Sequence, residues 1–435
     1  MIGWIILGAS IVGLEVINYI YYKKTVDYAE QKTLIKHSSA NTTWLKNNWL
    51  NELSSEEIIL WILNTIHIGK LSSSKIIVKP KLEDISSRKM LKWITYHMYF
   101  KPYKILTQEQ INSAKLMLEL IEEKIDYKFQ DIENDDHIQF IKFGSTEIET
   151  SYKPVVVYCA MSTIKNLAYM YLKYLGFTKH IMNKTGIVYF YYTNPQNNGK
   201  TTIFIHGLGF GVTPYINFVK SLMEYTDIII PILPNISNME FHSLLNSWED
   251  KYMFPDYEDL RTDFFNILNE RDLYNVNLVG HSFGTIVMSI VLKNSKFKKR
   301  INTKIFVDPV CFMDDCYKIF NYIKQPDPRN GELSTSIFNS MIYDDIYVRY
   351  TTQRYLYGPE YWLIDYNVLE KNAIVVLSSH DKIVPSMKLH KKLSENNITC
   401  IYVNEAEHAD IFNMSQYSTV VSTIVDHVNY NNILN

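Results

Sequence analysis

The sequence predicts an α/β fold: a mostly parallel sheet flanked by helices, with a helical N-terminal extension and a cap insertion. From Gly186 onward, short β-rich runs alternate with helical runs, which is the order that builds parallel sheets. The strand-like residues 276–279 lead through Gly-His-Ser-Phe-Gly (280–284) into an apolar helical run. Further downstream, an acidic loop and a histidine-containing loop each follow another strand-like run. Because parallel strands end at one edge of a sheet, we expect these groups to lie close together.

Composition excludes several classes of protein. The chain has 435 residues, 47% of them hydrophobic, which is enough for a substantial core. A net charge of −2 argues against nucleic acid as a partner. Four cysteines are too few for a disulfide scaffold in a chain of this length. Their spacing does not match a zinc site and no H-E-x-x-H motif is present, so we expect no metal or organic cofactor.

Residues 1–24 are predicted to form a hydrophobic membrane anchor. The apolar run from Ile2 to Tyr22 is about long enough to span a bilayer and is followed by Lys23 and Lys24. Glu15 opposes insertion by about 2.5–3.5 kcal/mol, whereas roughly ten Ile, Leu and Val residues contribute about −0.3 to −0.6 kcal/mol each. The two lysines indicate a cytosolic main domain. A second interpretation stays open, in which this segment is a helix packed on the protein.

Residues 25–185 are predicted to form a helical extension. Ser54 and Thr107 each begin a capping box, S/T-x-x-E/Q, ahead of an apolar run. A third helical stretch, residues 155–175, is apolar along most of its surface, with Lys165, Asn166 and Lys173 on one side. It could lie on a membrane surface, but packing on the following domain is the favoured interpretation.

Residues 186–435 are predicted to form the α/β domain. Its strand-like runs include residues 202–205, 227–233, 276–279, 303–307, 373–378 and 400–403. The tyrosine-rich segment of about 310–370 interrupts the alternation between two of these strands. An insertion at this point predicts a cap over the ends of the strands.

Ser282 is the candidate nucleophile. The G-x-S-x-G pentapeptide between a strand and a helix is typical of a nucleophile elbow, a turn too sharp for bulky neighbours. Gly280 and Gly284 leave room for that turn. The helix that follows points its positive N-terminal end at negative charge forming near the serine.

Asp381 and His408 are the candidate partners of Ser282. A serine hydroxyl needs a base to accept its proton, and the base needs an acid to orient it. On this type of sheet the order along the chain is Ser, then Asp or Glu, then His. Asp381 follows the strand-like residues 374–378, and His408 follows the next strand-like run, at 400–403. The pair therefore occupies the positions that a Ser-Asp-His triad requires.

Other residues compete for these roles. Asp308 also follows a strand and stays open as an alternative acid, although the adjacent Pro309 favours a structural role. His281 and His380 directly precede Ser282 and Asp381. They are not expected to act as the base, because the side chains of consecutive residues point apart.

The oxyanion hole requires two backbone N–H groups directed at the developing negative oxygen. One is predicted to come from Phe283, the residue after the nucleophile. The other is predicted to come from Leu208, in the glycine-containing loop His-Gly-Leu-Gly (206–209) after an earlier strand.

From Gly186 to the C-terminus the sequence resembles the α/β-hydrolase fold superfamily. The motifs H-G-L-G (206–209), G-H-S-F-G (280–284), S-H-D-K-I-V-P (379–385) and E-H-A-D (407–410) occur in the family's order. The motifs Y-K-P (152–154), L-G-F (175–177) and V-D-P-V-C-F (307–312) also resemble a largely uncharacterised group of membrane-anchored hydrolases from fungi, plants and large DNA viruses. The resemblance implies the fold and a hydrolytic activity, with no assigned substrate.

The sequence as a whole predicts a membrane-associated serine hydrolase that acts on a small-molecule or lipid-like ester through an acyl-enzyme. Three alternatives stay open. The same triad could cleave thioesters or peptides. The same scaffold could catalyse a cofactor-free haloperoxidase reaction. The fold could instead serve as a non-catalytic binding or scaffold module.

Overall fold

The computed structural model describes most of the chain. The described residues are 2–31, 53–69, 79–99, 103–133, 135–140, 148, 150–196, 199–237, 255–312, 341–355, 369, 372–413 and 415–430.

The chain divides into two compact units. The first contains Met1–Ala29, Ile148–Thr352 and Glu360–Asn435, and the second contains Glu30–Glu147 and Gln353–Pro359. The first unit thus takes in residues 148–185 together with the sheet, and does not begin at the predicted boundary of residue 186.

In its described residues, the second unit has three α-helices and a small antiparallel sheet. Its elements are α2 (Ser55–Thr65), β1 (Ile66–Ile68), α3 (Ser87–Tyr99), α4 (Gln108–Ile125) and β2 (Ile138–Phe140). Both predicted capping boxes are confirmed, at Ser54 and Thr107. The aromatic rings of Trp61, Trp93 and His97 pack together in its interior. The prediction missed the two strands because three residues each are too few to show an alternating pattern.

The first unit is organised around an eight-stranded sheet. Its strands are β3 (Thr178–Ile181), β4 (Val188–Tyr192), β5 (Thr201–Ile205), β6 (Asp227–Ile232), β7 (Val276–His281), β8 (Ile301–Val307), β9 (Ala373–Ser378) and β10 (Thr399–Val403). Across the sheet their order is β10-β9-β8-β7-β5-β6-β4-β3. The six strands from β10 to β6 are mutually parallel, while β4 runs antiparallel to both of its neighbours. The predicted mostly parallel sheet is confirmed.

The sheet begins earlier than residue 186. Strand β3 pairs antiparallel with β4 and forms one edge, yet the sequence analysis read residues 178–181 as part of the helical extension. An edge strand with mostly exposed side chains, Thr-Lys-His-Ile, carries no apolar signature of a strand.

Helices cover the sheet and close the core. They are α5 (Val155–Tyr174), α6 (Ile216–Met223), α7 (Tyr257–Glu270), α8 (Phe283–Leu292), α9 (Ile346–Tyr355), α10 (Ser386–Glu395) and α11 (Ser418–Tyr430). One buried cluster joins Phe204 of β5, Phe218 of α6, Val376 of β9 and Val425 of α11. The central strands are buried along their whole length, as expected for a parallel sheet covered by helices.

The N-terminal segment forms one long helix, α1 (Ile2–Gln31), which continues past the predicted end of the anchor at residue 24. Among the residues that the structure describes, one helix, α5, is long and apolar enough to cross a membrane by length and composition.

Much of the predicted cap, residues 313–340 and 356–368, lies outside the described residues. Within residues 341–355, Ile342 packs with Leu208, Phe210 and Met161, and Thr351 hydrogen-bonds to Asn235. This part of the insertion therefore lies against the loop after β5. A cap over the site stays a prediction.

Candidate active site

Ser282 occupies a strained turn between β7 and α8. Its backbone has φ 50° and ψ −121°, a conformation that costs a non-glycine residue on the order of 1–3 kcal/mol. The turn brings neighbouring backbone very close: a Cβ atom at Gly284 would overlap the carbonyl oxygen of Ile205, and one at Gly280 would overlap the sulfur of Met288. Glycine is therefore required at position 284, where the neighbour is backbone, whereas a Cβ atom at position 280 would have to displace the Met288 side chain.

The structure brings Ser282, His408 and Asp381 into one hydrogen-bonded chain. His408 Nε2 lies 2.8 Å from Ser282 Oγ, and His408 Nδ1 lies 2.6 Å from Asp381 Oδ2. A carboxylate beside Nδ1 fixes the proton on that nitrogen, so Nε2 is left to accept the serine proton.

The surrounding elements hold this chain in place. Asp381 lies in the loop after β9, where its Oδ1 accepts hydrogen bonds from the N–H groups of Ile383 and Val384, at 2.7 and 2.9 Å. His408 lies in the loop after β10. The Asp381 side chain is fully buried, whereas that of His408 is 17% exposed, and Ser282 is 9% exposed. The acid is thus shielded while the serine and histidine stay within reach of a small molecule.

The protonation equilibrium of His408 is shifted by its acidic neighbours. Burial opposes the charged ring, but the charge and hydrogen bond of Asp381, with the charges of Asp308 and Asp410, outweigh it and raise the pKa of His408 to about 9. An imidazolium is therefore strongly stabilised at this position.

Asp308, the alternative acid, makes a different set of contacts. Its carboxylate accepts hydrogen bonds from the Ser378 N–H (2.8 Å), the Ser378 hydroxyl (3.0 Å) and the Ala409 N–H (3.1 Å). Burial raises the pKa of Asp308 to about 6, although the charge of His408 opposes that rise. Asp308 thus ties the end of β9 to the residue after His408, and Asp381 holds the hydrogen bond to the ring.

In the described part of the chain, Asp308, Asp381 and His408 are the one group with metal-ligand spacing, their ligand atoms lying within 4.8 Å of one another. His408 Nδ1 and the carboxylates are already paired by the hydrogen bonds above. We therefore interpret the group as a hydrogen-bonded cluster.

The loop after β5 runs beside the nucleophile. A Cβ atom at Gly207 would lie 3.2 Å from Ser282 Cβ, so the backbone at this point packs directly on the serine. Leu208, the next residue, is half-buried, and Phe283 is the first residue of α8. Both predicted oxyanion-hole residues therefore belong to segments adjacent to Ser282, and their role stays a prediction.

A buried network that the sequence analysis missed braces this loop. The Gly207 N–H donates to the Tyr215 hydroxyl at 3.2 Å, and that hydroxyl lies 2.7 Å from His281 Nδ1. Burial, together with the charges of His408 and His206, lowers the pKa of His281 well below its usual value. A neutral His281 accepts a hydrogen bond at Nδ1 from the Tyr215 hydroxyl, which agrees with the expectation that His281 is not the base. No sequence spacing marks Tyr215, because its place in the network depends on the tertiary fold.

We expect Tyr215→Phe to lower the free energy of unfolding by roughly 1–3 kcal/mol, because the Gly207 N–H and His281 Nδ1 would lose their buried partner. Urea unfolding followed by circular dichroism measures this loss. Tyr274→Phe, at an exposed position, is the matched control and should change stability by less than about 0.5 kcal/mol. Equal unfolding midpoints for the two variants would contradict the role assigned to the Tyr215 hydroxyl.

A shallow cleft, with enclosed room for about one water molecule, lies next to the same loop. Its lining residues are Met161, Ile164, Lys165, Gly209, Phe210, Thr213 and Ser237. One wall is thus formed by α5, and another by Gly209 and Phe210, immediately after Leu208. The lining is mixed, with the polar side chains of Lys165, Thr213 and Ser237 beside apolar ones, and the cleft adjoins the candidate oxyanion loop.

No protein-family model and no curated protein sequence matches the chain. Among solved structures, it is similar to the carboxylesterase CesB from Bacillus subtilis, at 14% identity and a TM-score of 0.45, over 63% of this chain and 99% of that one. It is also similar to the naproxen esterase from Bacillus subtilis, at 11% identity and a TM-score of 0.44, over 62% and 98% of the two chains. A bacterial membrane phospholipase A gives 12% identity and a TM-score of 0.43, over 62% and 94%.

The strand order is the more specific evidence for the fold. Numbered from β3, the sheet has the order 1-2-4-3-5-6-7-8 with its second strand antiparallel, and the serine turn follows the fifth strand. The acidic and histidine loops follow the seventh and eighth strands. By this topology, the chain has the α/β-hydrolase fold.

Proposed function

We propose that the protein is a serine hydrolase that cleaves carboxylic esters through Ser282, His408 and Asp381. The single observation that carries the proposal is the position of the His408 ring, which contacts Ser282 Oγ through one nitrogen and Asp381 through the other. A serine hydroxyl, a base within hydrogen-bond distance and an acid that orients the base are the parts that acyl transfer requires.

The reaction has two stages. Ser282 Oγ attacks the acyl carbonyl while His408 Nε2 takes its proton, and the tetrahedral intermediate collapses as His408 returns that proton to the leaving alcohol. Water then attacks the acyl-enzyme with His408 again as the base, which releases the acid and restores the Ser282 hydroxyl. Asp381 stabilises the imidazolium in both stages and keeps its own negative charge.

The negative oxygen of each intermediate is proposed to bind the N–H groups of Phe283 and Leu208. The strained turn at Ser282 and the close packing of Gly207 on it support this assignment. Each such donor contributes roughly 3–4 kcal/mol of transition-state stabilisation in enzymes of this type.

The substrate is proposed to be an ester with an apolar acyl chain, and the protein is proposed to associate with a membrane through α1. The apolar side chains of Met161, Ile164 and Phe210, close to Leu208, support the first statement. The length of α1 and its apolar sequence support the second.

A panel of p-nitrophenyl esters with acyl chains of two to sixteen carbons, matched acyl thioesters and peptide amides tests the proposed reaction. We expect the highest kcat/KM on esters of intermediate or long chains. Faster cleavage of thioesters or amides would show that the protein acts on that bond rather than on a carboxylic ester. A folded protein inert to every member would contradict the hydrolase and favour a scaffold role.

We expect kcat/KM for an ester to rise with pH as His408 loses its proton, with a midpoint near the pKa of about 9. The value of kcat/KM rises rather than falls with pH because only the neutral ring can accept the serine proton. Asp381→Asn should move the midpoint to lower pH, because the carboxylate that favours the charged ring is lost. A rate independent of pH between about 6 and 10, measured at low substrate concentration, would contradict His408 as the base.

A further inference from the structure

Between residues 11 and 22, helix α1 carries its polar and apolar side chains on the opposite faces from those of a water-soluble helix. Along its described part, the stripe that is turned inward contains Glu15, Asn18, Tyr22 and Thr25. The outward surface between residues 11 and 20 is apolar, with side chains that are 39–63% exposed. Its members are Ile11, Val12, Leu14, Val16, Ile17 and Ile20. Such a helix buries polar groups and exposes apolar ones.

Two of the inward polar residues, Glu15 and Asn18, make hydrogen bonds to the segment that begins α5. Glu15 Oε2 accepts a hydrogen bond from the Val155 N–H at 2.9 Å, at the first turn of α5. Asn18 Nδ2 donates to the Tyr152 hydroxyl at 3.0 Å, which in turn donates to the Glu15 carbonyl at 3.2 Å. The Glu15 carboxylate thus pairs with an N–H group that has no partner within the helix, at the positive end of the helix dipole.

Helix α5 carries apolar side chains on both its inward and its outward face. Its inward face carries the buried side chains of Tyr158, Met161 and Leu172. The opposite face exposes a stripe at intervals of three and four residues, whose large members are 58–83% exposed. The stripe consists of Val156, Ala160, Thr163, Leu167, Met170 and Tyr174. No charged residue interrupts it, and contiguous apolar surface of this kind marks an interaction site.

We propose that these exposed faces of α1 and α5, together the bilayer face, lie in the apolar layer of a lipid membrane. A hydrocarbon environment favours an arrangement in which polar groups are paired on the protein side and apolar side chains face outward. Lys23 and Lys24 follow the apolar surface of α1, and Lys173 lies near the end of α5, where their charges suit anionic headgroups. The anchor therefore consists of two helices rather than the N-terminal segment alone.

The bilayer face is continuous with the cleft beside the candidate oxyanion loop. Ile164 of α5 is exposed at the border of the stripe and also lines the cleft, with Met161 deeper in the same wall. An acyl chain leaving the membrane along α5 would reach the edge of the cleft at Ile164, close to Gly209 and Phe210. This route for the acyl chain rests on the proposed hydrolase function, and it assigns a membrane lipid ester as the substrate class.

Flotation of the full-length protein with vesicles tests the bilayer face. The protein, purified in detergent, is mixed with phosphatidylcholine and phosphatidylserine vesicles (4:1), the detergent is removed, and the bound fraction is measured. We expect wild type to float, and Val12→Glu/Leu167→Glu to float at least tenfold less. Tyr225→Glu/Tyr274→Glu is the matched control, because it adds the same charge at two exposed aromatic positions in loops before β6 and β7. The control should float as wild type does.

Rates on two esters separate the membrane inference from the hydrolase proposal. The Val12→Glu/Leu167→Glu variant should keep its rate on soluble p-nitrophenyl butyrate, which also shows that it is folded, and lose at least tenfold on p-nitrophenyl palmitate carried in the vesicles. Flotation of the variant equal to wild type would overturn the bilayer face. A soluble dimer that ignores vesicles and that the variant dissociates would also overturn it, because a second copy would then cover the surface. Normal flotation with no hydrolysis of either ester would refute the hydrolase and the lipid route, and leave the bilayer face intact.

Discussion

Replacing Ser282 with alanine is expected to lower kcat for ester hydrolysis by roughly 10⁴-fold or more. The substitution removes the oxygen that attacks the carbonyl, so no acyl-enzyme can form. His408 and the proposed N–H donors of Phe283 and Leu208 would remain, and they leave only a residual acceleration over water. The measurement is kcat on the best p-nitrophenyl ester, with circular dichroism showing that the variant is folded.

Ser394→Ala provides the control for this experiment. Ser394 is an exposed serine on α10 whose hydroxyl donates to the His390 carbonyl, away from the triad. Its loss should leave kcat unchanged within about twofold. A folded Ser282→Ala protein that retains more than a tenth of the wild-type kcat would show that another group performs the attack.

The second large effect is expected for Asp381→Asn, which should lower kcat by roughly 10³–10⁴-fold. An amide in place of the carboxylate no longer fixes the proton on His408 Nδ1 and no longer stabilises the imidazolium. The wrong tautomer would then leave Nε2 protonated and unable to accept the Ser282 proton.

Asp308→Asn is the matched comparison, since both changes remove one buried carboxylate near His408. Both oxygens of the Asp308 carboxylate accept hydrogen bonds, three in all. An amide has only one acceptor oxygen, so at least one of the three donor groups would lose its partner. We expect a loss of roughly 1–3 kcal/mol in the free energy of unfolding and a smaller decrease in kcat than for Asp381→Asn. A larger kcat effect at Asp308 would identify it as the functional acid.

The sequence indicates the candidate site better than it indicates the edges of the fold. The elbow around Ser282 can be predicted because strand, glycines and helix are contiguous, and Asp381 and His408 follow because neighbouring parallel strands end at one edge. Strand β3 escapes prediction because its side chains are mostly exposed and its strand character comes from pairing with β4. A local pattern cannot report a pairing partner.

Interactions between distant residues account for the other differences between the sequence-based predictions and the structure. Glu15 counts as a cost to membrane insertion when the N-terminal run is read alone, yet its carboxylate accepts a hydrogen bond from Val155, 140 positions away. Tyr215 likewise gains its place only in the folded chain, where its hydroxyl lies 2.7 Å from His281 Nδ1. Neither partner can be identified from the spacing of residues along the chain.

Labelling with a fluorophosphonate probe tests the proposed role of Ser282 most directly. The probe forms a stable adduct with an activated serine, and mass spectrometry of the digested protein locates it. The proposal predicts one adduct per chain, on Ser282, absent in Ser282→Ala and much slower to form in His408→Ala. An adduct on a different residue, or none on a folded protein under conditions that label a known serine esterase, would contradict it.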